Sequence, residues 1–127
     1  DIINHTIKMR EDFRPFAPAV LEEHYKEYFD TRLPSPYMSR ICKVKTDKVP
    51  GITHKDNTAR IQTVNKKFNE KFYNIINEFY KITGVPMLLN TSFNFQEPIV
   101  ETPEQAIRTF KRTALDVLVI NDKILKK

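Results

Sequence analysis

The feature that most constrains this chain is KKFNEKFYNIINEFYKIT, residues 66–83, where apolar side chains return at helical intervals. Phe68, Phe72, Ile75, Ile76 and Phe79 stand at i, i+4, i+7, i+8 and i+11, which gathers them into one stripe of a helix. Asn65 is placed to cap its start, and Gly84 to end it in a left-handed turn. VPMLL, residues 85–89, follows as a short apolar strand expected at the centre of a sheet. Next comes a polar knot, NTSFN, residues 90–94. Thr102, Pro103 and Gln105 then form a capping box that opens a second helix, 103–112, burying Ala106, Ile107 and Phe110. LDVLVI, residues 115–120, reads as a final buried strand. Strand and helix alternate towards the C-terminus, so the fold class is α/β or α+β around a mixed sheet.

The first half fits the same plan. Residues 1–8 look like the tail of a helix, with Ile3 and Ile7 four apart. In FRPFAPAVL, Pro15 and Pro18 rule out helix interior, leaving an extended segment that becomes a strand over 17–22. EEHYKEYFD allows one or two helical turns, DTRLPSP is a loop and VPGITHKD an irregular turn. Strands are predicted over 37–45 and 58–65. The predicted sheet therefore takes in 17–22, 37–45, 58–65, 85–90 and 115–120, with the two helices packed on it.

At 127 residues the chain is one domain, 1–127, or part of one. Its opening on what reads as mid-helix suggests a fragment of a longer protein. Apolar residues at 40% and charged residues at 29% fit a globular rather than a disordered chain. No run approaches the roughly 20 apolar residues of a membrane span, and the start has no signal-peptide core. Cys42 is the only cysteine, which excludes an internal disulfide and a cysteine-based zinc site. A cytoplasmic location without membrane attachment is expected. The net charge of +5 favours anionic partners such as nucleotides, phosphorylated metabolites or nucleic acid, or simply serves solubility.

Three polar clusters have binding chemistry. Lys8, Arg10 and Arg14 in IKMREDFRPFAP put cations on one face if the segment is extended; a solvated basic edge strand would look the same. His54, Asp56, Thr58, Arg60 and Gln62 would share one strand face, as a pocket lining or as a solvent face, and they form at best a weak metal pattern. Asn90, Thr91, Ser92 and Asn94 lie between a strand and a capped helix, where ligands bind at strand ends. A turn that satisfies its own backbone would need the same residues. There is no Walker loop and no Gly-x-Ser-x-Gly elbow.

In order, IKMREDFRPFAPAVLEE, SPYM, GITHKDNTARIQTVN, TGVPMLLNTSFN, EPIVETPEQAIRTF and LDVLVI resemble the C-terminal part of the carbamoyltransferase family, which includes nodulation-factor and antibiotic-tailoring O-carbamoyltransferases. The resemblance covers nearly the whole chain and implies a YrdC-like domain, here truncated, related to threonylcarbamoyl-adenylate synthases. It implies that carbamoyl phosphate and ATP with Mg2+ are substrates for a carbamoyl adenylate. An N-terminal transferase half, which would carry its own metal, would pass the carbamoyl group to a hydroxyl. The related synthases' Lys-x-Arg and Ser-x-Asn signatures match Lys8-Met9-Arg10 and Ser92-Phe93-Asn94, which makes Lys8, Arg10, Ser92 and Asn94 the catalytic candidates. Arg14, His54, Arg60, Asn90 and Thr91 are the expected nucleotide or carbamoyl binders, and no metal ligand is expected in this chain. The two signatures are expected to converge on one pocket.

Two departures stand out. Between Asn94 and Glu97 this chain has only Phe95 and Gln96, where the family usually has three residues including a glycine. The transferase half and the arginine- and glycine-rich lead-in are missing, so the 127 residues alone are expected to be inactive. A different class of function is a non-catalytic nucleotide- or RNA-binding module, with Phe13 and Phe16 beside Arg10 and Arg14 as stacking platforms, although both phenylalanines read better as core. A scaffold that orients the transferase half is a third. Nucleic acid is not the expected partner, and the acceptor is not encoded here.

Overall fold

A computed structural model describes residues 2–11 and 13–127. Asp1, part of the expected helix tail, and Asp12 lie outside the described residues. The chain divides into two compact units: Pro15–Thr91, and the segment up to Arg14 together with Ser92–Lys127.

The Pro15–Thr91 unit contains β1 (Ala17–Leu21), α1 (Tyr25–Tyr28), β2 (Phe29–Asp30), β3 (Arg40–Val44), a 3-10 turn (Pro50–Ile52), β4 (Thr58–Val64), α2 (Glu70–Thr83) and β5 (Met87–Asn90). Its sheet has the order β2-β3-β4-β1-β5. β1 runs parallel to β4, with Ala19 opposite Gln62, and antiparallel to β5; β4 and β2 each pair antiparallel with β3. All five residues of β1 are buried. The strand's period of two sends Val20 into a core with Tyr25, Phe29, Val44, Ile61 and Met87. Ala19 and Leu21 go to the opposite core with Val64 and Ile76. Pro18, which has no N–H to donate, is tolerated in a central strand because the ladder to β4 begins only at Ala19.

α2 starts later than its periodicity predicts. Asn69 caps it, accepting from Phe72 N at 3.2 Å. Asn65 instead closes a turn, its side chain accepting from Lys67 N at 2.8 Å. Phe68 is left outside the helix and exposed. The buried face is also rotated: Ile76 is fully buried and packs with Phe72, Tyr73 and Tyr80, while Ile75, Phe79 and Ile82 are exposed. Tyrosines suit that rim because the ring packs while the hydroxyl finds a partner, here Glu23 for Tyr73. Gly84 ends the helix at φ 72°, as its position predicts.

The other unit contains a π-helical turn (Ile3–Lys8), α3 (Pro103–Arg112), β6 (Val117–Ile120) and β7 (Lys123–Lys126). The capping box of α3 forms as predicted, Thr102 Oγ1 accepting from Gln105 N and Gln105 Oε1 from Thr102 N, each at 3.2 Å. Ala106, Phe110 and Leu118 are its core, with Phe93, Val100 and Ile107 packed around them. The segment 115–120 does not join the large sheet. Among the described residues, β6 pairs only with β7, in a two-stranded hairpin turned at Asn121-Asp122. Leu118 is buried while Val117 and Val119 face outwards, so an apolar run that reads as buried on both faces has one face covered. Among the described residues, no helix is long and apolar enough to cross a membrane.

Candidate functional site

The Lys-x-Arg segment is not extended. Lys8 closes the π-helical turn, and Met9 takes a left-handed conformation, φ 46° and ψ 56°, so the chain reverses between Lys8 and Arg10. A positive φ at a bulky residue is strained and marks a place where the surroundings over-determine the backbone. Buried Asn4 supplies that constraint. Its backbone carbonyl accepts from Met9 N and from Arg10 N at 3.1 Å. Its side chain accepts from Arg10 Nε at 2.8 Å and donates to the Arg14 carbonyl at 3.1 Å.

Opposite this segment, in the same unit, is the turn 92–97. Phe93 anchors it in the core, and its carbonyl accepts from Val100 N at 3.1 Å. Lys8 Nζ donates to the Ser92 carbonyl at 2.9 Å, the Asn94 carbonyl at 3.0 Å and Asn94 Oδ1 at 2.8 Å, with Ser92 Oγ at 3.4 Å. Ser92 Oγ donates to Asn94 Oδ1 at 2.7 Å, and Asn94 Nδ2 to the Glu97 carbonyl at 2.6 Å. Lys8 is 8% exposed. Burial first, then repulsion from Arg10, lowers its pKa from the ordinary lysine value. Arg10 is lowered too, by burial and then by Arg14, with Glu11 acting in the opposite direction.

These residues line a cavity of about 480 Å3, a size that suits a small ligand. Lys8, Arg10 and Arg14 give it positive charge, Ser92 and Asn94 hydrogen-bonding groups, and Glu11 and Glu97 negative charge. Arg14 pairs with Glu11 at 3.0 Å, both half-exposed. Glu97 accepts from Thr109 Oγ1 at 2.5 Å and lies 4.0 Å from Arg112. Such a lining suits a ligand that joins an anionic group to N–H donors. Arginine forks meet phosphate-like oxygens, and the carboxylates and carbonyls accept from an amide.

The structure thus brings together Lys8, Arg10, Arg14, Ser92 and Asn94, from signatures 84 residues apart. His54, Arg60, Asn90 and Thr91 belong to the Pro15–Thr91 unit. There, β4 begins only at Thr58, so His54 and Asp56 sit in a turn rather than on a strand face. Thr58 Oγ1 donates to Asp56 Oδ1 at 2.7 Å and lies 3.2 Å from His54 Nδ1. Arg60 is exposed on β4, and Asn90 Nδ2 donates to Gln62 Oε1 at 3.0 Å. Sequence reasoning missed Asn4 and Glu11; a lone asparagine between Ile3 and Ile7 has no signal that separates a buried brace from a surface residue. Among the described residues, no group of three or more His, Cys, Asp or Glu is placed to hold a metal ion.

The two-residue link between Asn94 and Glu97 has its own cost. Gln96 lies at φ 52°, a conformation in which glycine is unstrained. Gln96→Gly should raise stability by about 0.5–1 kcal/mol, the relief of strain outweighing the added freedom of the unfolded chain. Thermal melting checks this; a lower melting temperature would mean that the Gln96 side chain contributes more than its backbone costs.

The Carbamoyltransferase C-terminus family model matches residues 1–127. The chain is 46% identical over 134 residues to the nodulation protein NolNO of Sinorhizobium fredii, covering 100% of this chain and 20% of that protein. It is 45% identical over 136 residues to the nodulation protein NolO of Bradyrhizobium diazoefficiens, covering 100% of this chain and 24% of that one. Nodulation protein U of Rhizobium tropici is 37% identical over 97 residues, covering 74% of this chain and 17% of its own length. The chain therefore belongs to the carbamoyltransferase C-terminus family. It spans about a fifth to a quarter of the length of these full-coverage relatives.

Proposed function

We propose that this domain forms part of an O-carbamoyltransferase and has a YrdC-like fold. It binds carbamoyl phosphate and ATP with Mg2+ at the 480 Å3 cavity and makes a carbamoyl adenylate. A transferase domain elsewhere in the protein then passes the carbamoyl group to a hydroxyl. The observation that carries this reading is the meeting of the two signatures around one cationic cavity. The reaction concentrates negative charge on phosphates and on a carbamate-like group, and fixed donors aimed at that charge lower such barriers. Arg10 and Arg14 suit the phosphoryl oxygens, while Glu97 and the turn carbonyls suit the carbamoyl amide. Calorimetric titration of the chain with carbamoyl phosphate and with ATP tests the binding, with dissociation constants expected in the micromolar to millimolar range, about 1 μM to 1 mM. Absence of heat with either ligand would remove this assignment.

A second reading rests on one difference from expectation. Phe16 is buried, but Phe13 is 68% exposed, between Arg10 and Arg14 in sequence. An exposed ring among arginines is what a nucleotide- or RNA-stacking module presents. Binding of single-stranded RNA with a steep salt dependence and no response to carbamoyl phosphate would favour it.

A further inference from the structure

The ammonium of Lys8 has three N–H groups, and three protein oxygens already stand at 2.8–3.0 Å from it. All belong to Ser92 or Asn94, and Ser92 Oγ lies at 3.4 Å as a fourth. The side chain is 8% exposed, so an incoming anion would have to break this set to reach it. Ser92 Oγ and Asn94 Oδ1 are likewise bonded to each other. We infer that Lys8 is a positioning residue: its ammonium braces the 92–94 turn, while the anion is met by Arg10 and Arg14, which line the same cavity.

The brace follows from its own bonds; the part that concerns the anion rests on the proposed carbamoyl-phosphate site. Among the described residues, the charged groups around the cavity besides Lys8 are Arg10, Arg14, Glu11 and Glu97. A compact ammonium reaches several converging oxygens, whereas a planar guanidinium holds the charge but not that geometry. Lys8→Arg therefore separates the two roles. A direct anion contact tolerates arginine, and a brace does not.

Amide hydrogen exchange and carbamoyl phosphate calorimetry on the 127-residue chain test this with Lys8→Met, Lys8→Arg and Arg10→Ala. Without ligand, both Lys8 variants should speed exchange of the Val100 amide, which donates to the Phe93 carbonyl of this turn, by about tenfold or more, and Arg10→Ala should change it less. Exchange in the middle of α3, in the same unit, should be unchanged, which controls for unfolding. Carbamoyl phosphate affinity should fall in Lys8→Arg nearly as far as in Lys8→Met. Unchanged exchange at the Val100 amide, with affinity lost in Lys8→Met and kept in Lys8→Arg, would overturn the inference and make Lys8 an anion contact. If the wild-type chain binds no carbamoyl phosphate while exchange rises in both variants, the proposed function fails and the brace stands.

Discussion

Ile76→Ala should lower the unfolding free energy by about 2–5 kcal/mol, because it empties the centre of the contact between α2 and the sheet. Ile76 is the only fully buried side chain of α2, and it meets Ala19, Leu21 and Val64. Its neighbours in the chain make the prediction specific. Ile75→Ala and Ile82→Ala remove side chains that are 59% and 84% exposed, so each should change stability by no more than about 0.5 kcal/mol. Urea unfolding of the three variants is the measurement. Equal losses in Ile75→Ala and Ile76→Ala would mean that the helix rests on the stripe read from the sequence and not on the face described above.

Arg10→Ala should weaken carbamoyl phosphate binding, and adenylate formation where it can be assayed, by roughly ten- to a hundredfold. A charge-assisted bond to a phosphate-like oxygen contributes about 1.5–3 kcal/mol. Some stability should go with it, since Arg10 Nε is bonded to buried Asn4. Arg10→Lys keeps the charge and loses the fork, and should recover only part of the affinity. The check is calorimetry with carbamoyl phosphate beside thermal melting, together with ATP–pyrophosphate exchange in a full-length protein that contains this domain. Near-normal binding in Arg10→Ala would remove Arg10 from the ligand. A large drop in melting temperature with a proportional loss of binding would return it to a structural role.

Much of the local structure was legible. The strands at 17–22, 58–65 and 85–90, the single turn within EEHYKEYFD and the capping box at Thr102 follow from proline placement, alternation and side-chain capping, all short-range effects. What failed needed knowledge of what lies across from each residue. The periodicity of 66–83 does not say which face the sheet takes, and the face it takes keeps Phe72 and Ile76 and brings Tyr73 and Tyr80 to the rim. LDVLVI has the composition of a central strand, but the partner it found was KILK, signalled only by Asn121-Asp122 between two apolar runs.

The candidate site divides in the same way. Residue types alone identified Lys8, Arg10, Ser92 and Asn94 as chemically apt, and the family resemblance paired them. The supports lay beyond that. Asn4 is one polar residue in a short helical turn until the fold buries it against Arg10 and Arg14. Glu11 became a cavity residue only through the reversal at Met9.

By itself, the sequence determined most of the elements and placed their ends to within a few residues, though not the short strands β2 and β7, because caps, turns and periodicity act over a handful of bonds. Tertiary structure alone decided that Lys8 is enclosed by four oxygens from 84 and 86 residues away, and that its charge is buried and not displayed. A lysine's chemistry depends on which groups replace the water around it, and those groups are distant in the chain.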